Sequence, residues 1–295
     1  MIWWLCLFKT CKFSMKPIFN SLAAAVIFTF ASSAFAGYDE GTAAYNAKDY
    51  NEAFAAWKPL ANAGDARAQN NLGAMYSAGQ GVVKDDYLAA VWYRYAAENG
   101  DIAAAYNLGR VYDAGLGVLK DEPLALVWLT KAATLGHAGA QNHLGVLYAN
   151  GRGVKKDDAQ ALIWYTKAAE QGNLDAYNNI GALYANGRAV PKDAKEAVSW
   201  YLKAAEKGHA AALANLGTMY AGGQGVPSSA IVAYAFNNLA QAQGNASAIK
   251  SLRVADSTMG RADIEKAQEL SRDMNRPDNL RPALAKFSTT LVAKK

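Results

Sequence analysis

The chain has three histidines, His137, His143 and His209. Imidazole titrates near neutrality and is the commonest metal ligand. The placement of these three matches neither proton transfer nor metal binding. His137 and His209 occupy a position held elsewhere by Asp65, Asp101 and Asn173, which reads as a turn between repeated units. His143 stands in a column of asparagines. No His-Glu-x-x-His, phosphate loop or calcium loop occurs, so no metal and no cofactor are expected. Ser247 and Lys250 form a Ser-x-x-Lys match, a nucleophile and a base one helical turn apart. The Ser-Asp-Asn and Lys-Thr-Gly partners of that chemistry are missing, so the match reads as chance. The adjacent acids Asp85-Asp86 and Asp157-Asp158 read as helix caps rather than as an acid–base pair.

Binding chemistry is better represented. Asn71, Asn107, His143, Asn179 and Asn215 recur every 36 residues. An amide both donates and accepts, so such a ladder can hold the backbone of an extended peptide. The alternative is that each amide satisfies a carbonyl between helices. Four neighbouring columns vary freely between the units. The first runs through Arg67, Ala103, Gly139, Asp175 and Ala211, and the second through Asn70, Tyr106, Asn142, Asn178 and Ala214. The third is Ala74, Arg110, Val146, Ala182 and Thr218, and the fourth Ser77, Asp113, Ala149, Ala185 and Ala221. Steps of 3, 4 and 3 put them on one helical face. Tyr106 and Arg110 are four apart and read as an aromatic–cationic hot spot, or as ordinary solvated surface.

The elements that position these side chains follow from the period. "NLGAMYSAGQGVVKDD" from Asn71 returns as "NLGRVYDAGLGVLKDE" from Asn107, and three more times from His143, Asn179 and Asn215. Self-similarity at this period marks a solenoid. Helical spacing predicts a first helix near 65–78 and a second near 87–99 in each unit. Gly79, Gly115, Gly151, Gly187 and Gly223 sit where the first helix ends, and a left-handed cap is expected there. A second loop glycine at 81, 117, 153 and 225 becomes Ala189 in the fourth unit. Val82 and its equivalents should pin the loop to the core. Asp85 or Asp86, Asp121, Asp157 or Asp158, Asp193 and Ser228 or Ser229 should cap the second helix. Trp92, Trp128, Trp164, Trp200 and Phe236 read as the large core residues, interlocking with alanine pairs such as Ala132-Ala133. Gly73, Gly109, Gly145, Gly181 and Gly217 lie inside the first helix, which suggests close packing by another backbone or a tryptophan ring.

The N-terminus reads as a secretory signal peptide over residues 1–36. Lys16 precedes the apolar run Leu22 to Phe30, and Ala34-Phe35-Ala36 is an Ala-x-Ala site, so cleavage is expected before Gly37. Met15 is the natural start of this signal. Cleavage would remove Cys6 and Cys11, leaving no thiol, and would remove three lysines and no acid from a chain of net charge +5. The remaining balance does not suggest a nucleic-acid partner, and no membrane span is expected after cleavage. A periplasmic or secreted location follows.

The repeated pattern A-x-x-x-L-G-x-x-Y-x-x-G-x-G-V, an acidic cap, then A-x-x-W-Y-x-K-A-A-x-x-G resembles Sel1-like repeats, relatives of tetratricopeptide repeats with a longer loop. The resemblance implies an all-α, right-handed α-α superhelix of five repeats: 64–99, 100–135, 136–171, 172–207 and 208–243. Residues 37–63 read as an N-terminal capping pair, 244–274 as a degenerate capping repeat with a terminal helix, and 275–295, with Pro277 and Pro282, as a flexible tail. The family implies protein–protein scaffolding, often in bacterial envelopes, with the first helices lining the concave face. The expected reading is a non-catalytic scaffold binding a protein or peptide there. Its candidate contacts are Asn71, Tyr106, Asn107, Arg110, Asn142, His143, Asp175, Asn178, Asn179 and Asn215. The alternative is a penicillin-binding or β-lactamase activity, which a cysteine-rich branch of the family implies. This chain lacks that branch's paired cysteines.

Overall fold

The computed structural model describes residues 37–292, and these are arranged entirely in helices and the loops that join them. The expected signal segment, 1–36, lies outside the described residues. The N-terminal pair is α1 (37–46) and α2 (Tyr50–Asn62). Five longer pairs follow: α3 (Ala66–Ala78) with α4 (Asp86–Glu98), α5 (Ile102–Ala114) with α6 (Glu122–Thr134), and α7 (Ala138–Asn150) with α8 (Asp158–Glu170). Then come α9 (Leu174–Asn186) with α10 (Ala194–Ala205), α11 (Ala210–Gly222) with α12 (Ala230–Ala242), and finally α13 (Ala246–Thr258), α14 (Arg261–Met274) and α15 (Leu280–Val292). From α3 to α12 each helix packs on the one before it and the one after it, so the described residues form an all-α solenoid.

Polar side chains set the helix boundaries. Asp65, Asp101, His137, Asn173, His209 and Asn245 each accept a backbone N–H from the first turn of a first helix. Asp85, Asp121, Asp157, Asp193 and Ser229 do the same for the second helices, which settles the choices that the sequence left open. Each first helix ends on a glycine with φ between 62° at Gly223 and 70° at Gly151. The next loop glycine also has positive φ and lies against the preceding repeat. A Cβ on Gly117 would sit 2.2 Å from the Asp86 carbonyl carbon. Ala189 keeps the same left-handed turn, at φ 64°.

The core is built from small residues and a few large aliphatic ones in each unit. Ala68, Ala104, Ala140, Ala176 and Ala212 are fully buried, as are Leu72, Leu108, Leu144, Ile180 and Leu216. The internal glycines let the second helix approach. A Cβ on Gly145 would meet the Tyr165 ring at 2.6 Å, and Gly73 and Gly181 face Tyr93 and Tyr201 in the same way. Burial pushes all three phenols up to about 12. The packing side chain is thus the residue after each tryptophan, a tyrosine in three repeats and Leu129 in the second, not the expected tryptophan. Trp92, Trp128, Trp164 and Trp200 are only half-buried. Each carries a lysine over its face, Lys167 at 4.2 Å from the Trp164 centroid and Lys203 at 3.7 Å from Trp200. An indole is wide enough to lie across the seam with one edge wet, and the lysine stem covers it. Phe236 alone of that column is fully buried.

The C-terminal end departs from the pattern. Arg253 stands where the five repeats have the internal glycine, and α14 packs on α12 and α15 rather than against α13. The region expected to be a flexible tail instead holds α15. Leu280, Ala283 and Leu284 are buried with Leu213, Met274 and Phe236 in one core cluster. Pro282 lies in the first turn of α15, where the missing N–H has no helical partner to lose.

Candidate functional site

The first helices α3, α5, α7, α9 and α11 are joined to one another by side-chain hydrogen bonds. Asn107 donates its amide to the Asn70 carbonyl oxygen at 3.1 Å, Asn179 to Asn142 at 3.0 Å, and Asn215 to Asn178 at 2.8 Å. Asn71 donates to the Tyr38 hydroxyl at 3.2 Å. Each pair joins the near-invariant asparagine of one unit to the variable column of the unit before. The bond uses one of two amide hydrogens and one carbonyl lone pair, so both residues keep hydrogen-bonding capacity.

The ladder breaks once. In the second repeat the accepting asparagine is replaced by Tyr106, and in the third the donating one is replaced by His143. His143 packs edge-on to Tyr106, at 6.4 Å between centroids, and its Nε2 reaches Asp113 Oδ2 at 2.9 Å. Asp113 is only 7% exposed and is also paired with Arg152, from the loop of the next repeat. Tyr106 stacks on His137 at 4.5 Å with 27° between the planes. Arg110 lies over the Tyr106 ring at 5.6 Å. The seam between the second and third repeats thus gathers Tyr106, Arg110, Asp113, His137, His143 and Arg152 in place of the asparagine pair that joins the first helices at the seams on either side.

His137 has two tasks. Its Nδ1 accepts the Ala140 N–H at 3.0 Å as the N-cap of α7, which leaves the proton of the neutral ring on Nε2. Burial lowers its pKa, against weaker opposing pulls from its own backbone carbonyl and then from Asp101. Gly139 leaves room for the stack, since a Cβ there would lie 3.1 Å from His137 Cε1 and 3.3 Å from Tyr106 Cζ. Two repeats on, His209 caps α11 and its Nε2 meets Asp175 Oδ1 at 3.0 Å. That hydrogen bond holds the exposed Asp175 carboxyl below its usual range.

Tyr106, Arg110 and His143 are therefore brought together, while Asp175, Asn178, Asn179 and Asn215 lie further along the same set of helices. His137 and Arg152 escaped selection as site residues in the sequence. The signal was present as a paired exception, a tyrosine and a histidine each breaking an asparagine column, 37 residues apart. Ser247 and Lys250 are both exposed on α13, and no hydrogen bond joins their side chains. Among the described residues, no three His, Asp or Glu side chains group so as to hold a metal ion, and no helix is long and apolar enough to cross a membrane.

A stack of helix pairs linked side by side defines a tetratricopeptide-like solenoid, a class that generally serves as a scaffold for protein interactions. The chain belongs to the Sel1 repeat family, whose model matches residues 66–101, 102–137, 138–173, 174–209 and 210–244. It is similar to the crystal structure of a Sel1 repeat protein from Oxalobacter formigenes, at 34% identity and a TM-score of 0.72, over 78% of this chain and 96% of that one. It is also similar to a protective antigen of uropathogenic Escherichia coli with an SLR fold, at 30% identity and a TM-score of 0.69, over 84% of this chain and 55% of the antigen. The chain thus spans about half the antigen's length. No curated protein matches the chain.

Proposed function

We propose that this chain is an exported, non-catalytic scaffold of the bacterial cell envelope, which holds a protein or peptide partner along the concave face formed by its first helices. The observation that carries this reading is the distribution of variation among five near-identical units. Within the first helix the alanine, leucine or isoleucine, glycine and tyrosine columns that pack the repeats are fixed, and four columns that change share one face. Packing needs explain the fixed columns. They do not explain why a tyrosine, an arginine and two histidines gather at one seam. Aromatic and arginine side chains are the types that most often carry binding energy. The asparagine pairs keep unused donors and acceptors along the same face, which suits the backbone of an extended chain. The signal-like N-terminus supports export, and the resemblance to a bacterial protective antigen is consistent with an envelope setting.

The test is the double substitution Tyr106→Ala and Arg110→Ala. Arg110 is exposed and Tyr106 only half-buried against the repeat core, so helical content should be largely kept. Affinity for a partner should fall about tenfold or more. Replacement of the exposed Lys167 and Lys203 on the second helices should have little effect. If the lysines matter and the Tyr106–Arg110 pair does not, the partner uses the opposite face.

A further inference from the structure

We propose that Arg110, Tyr106 and His137 form a carboxylate-recognition site on this face, which takes a carboxylate of a bound peptide. The inference rests on the binding reading above and names the chemistry of its central contact. Two arginines occur on the variable face. Arg67 is paired with Asp65, whereas Arg110 has no ion pair among the described residues. Its column is otherwise Ala74, Val146, Ala182 and Thr218, so it is the one charge in that row.

The acid that would ordinarily neutralise Arg110 is Asp113, three residues on along α5 and within reach of a helical ion pair. Asp113 is turned away. It is buried and bound twice from the next repeat, by His143 and by Arg152. The charge of Arg110 is thereby left uncompensated over the Tyr106 ring. On that same ring stacks His137, whose Nδ1 is committed to the helix cap and whose Nε2–H is a donor without a protein acceptor. A guanidinium fork, a flat ring that limits its motion and an imidazole donor together match a planar, two-oxygen anion. Gly139 keeps the approach clear of a side chain.

The shared chemistry has two peptide sources, an acidic side chain or a chain terminus, and the probes separate them. The isotope-labelled full chain would be titrated with N-acetyl-tetraglutamate amide, with N-acetyl-tetraalanine bearing a free carboxylate, and with N-acetyl-tetraglutamine amide. Backbone and side-chain shifts would be followed by NMR. At least one carboxylate peptide should give saturable shifts at Arg110 and His137, with the glutamine peptide clearly weaker. Arg110→Gln should weaken binding by about tenfold or more, and Arg110→Lys should restore only part of it, having charge without the fork. His137→Asn keeps a capping side chain, as Asn173 does at the same position, and should still weaken binding. Equal binding of the glutamine peptide, or no effect of Arg110→Gln, would overturn the carboxylate assignment. Shifts at Asn179 and Asn215 would then leave the peptide-binding face standing. No saturable shift with any probe would overturn the assignment outright, and the double-substitution test would decide the broader reading by itself.

Discussion

Ala189 is the residue at which the repeat is least at ease. Its backbone is left-handed at φ 64°, a conformation that costs an L-residue roughly 1–2 kcal/mol. Ala189→Gly should therefore raise stability by about 0.5–1 kcal/mol once the flexibility of glycine in the unfolded chain is counted. The equivalent change in reverse, Gly117→Ala, should destabilise by about 2 kcal/mol or more, because its methyl would meet the backbone of Asp86. Urea midpoints of the two variants check both signs. His137 gives a second residue-scale expectation. Burial holds its pKa below the ordinary 6.5, so the unfolded chain binds this proton more readily than the folded one. Its contribution to stability is fully present above about pH 6.5 and is lost as the pH falls from there through the folded value. Tyr106 stacks on the ring, and a backbone hydrogen bond to the residue's own carbonyl and, more weakly, Asp101 oppose the shift. The melting temperature should drop between pH 7.5 and 5.5, and His137→Asn should flatten part of that drop while keeping a cap.

At the scale of the helix, the tryptophan and phenylalanine of one column behave differently. Phe236→Ala empties a fully buried site and should cost about 3–5 kcal/mol. Trp164→Ala should cost about half as much, because its ring is half-buried beneath Lys167. Equal losses in urea unfolding would contradict the division. The helices themselves were legible from period, glycine and cap residues, since those features act within a few residues of chain. The tryptophan role was not. The fixed size of the residue pointed to the core, but the adjacent tyrosine meets the glycine of the first helix, and only the crossing of two helices decides between neighbours. α15 was hidden for a similar reason. Its prolines and charges read as a loose tail, whereas burial against α11, α12 and α14 supplies what propensity lacks. The asparagine column was visible, yet its donation to the preceding repeat depends on the spacing of stacked helices and has no signature within one unit.

Across the whole molecule, the scaffold reading makes two commitments. The first is export. Mass spectrometry of the protein recovered from cells should find Gly37 at the N-terminus, and an intact 15–36 segment on envelope-associated protein would contradict it. The second is that one side of the solenoid binds. Peptide ligands would be selected from a random library on the intact chain and then mapped by a photo-crosslinking residue. That residue would be placed on the first helices at Ala74, Ala182 or Thr218, and on the second helices at Val127 or Ile163, which are both exposed apolar positions. Crosslinks should form from the first-helix positions, and the selected peptides should lose about tenfold or more in affinity on Tyr106→Ala with Arg110→Ala. Crosslinks from Val127 and Ile163, with affinity untouched by the double substitution, would place binding on the other face.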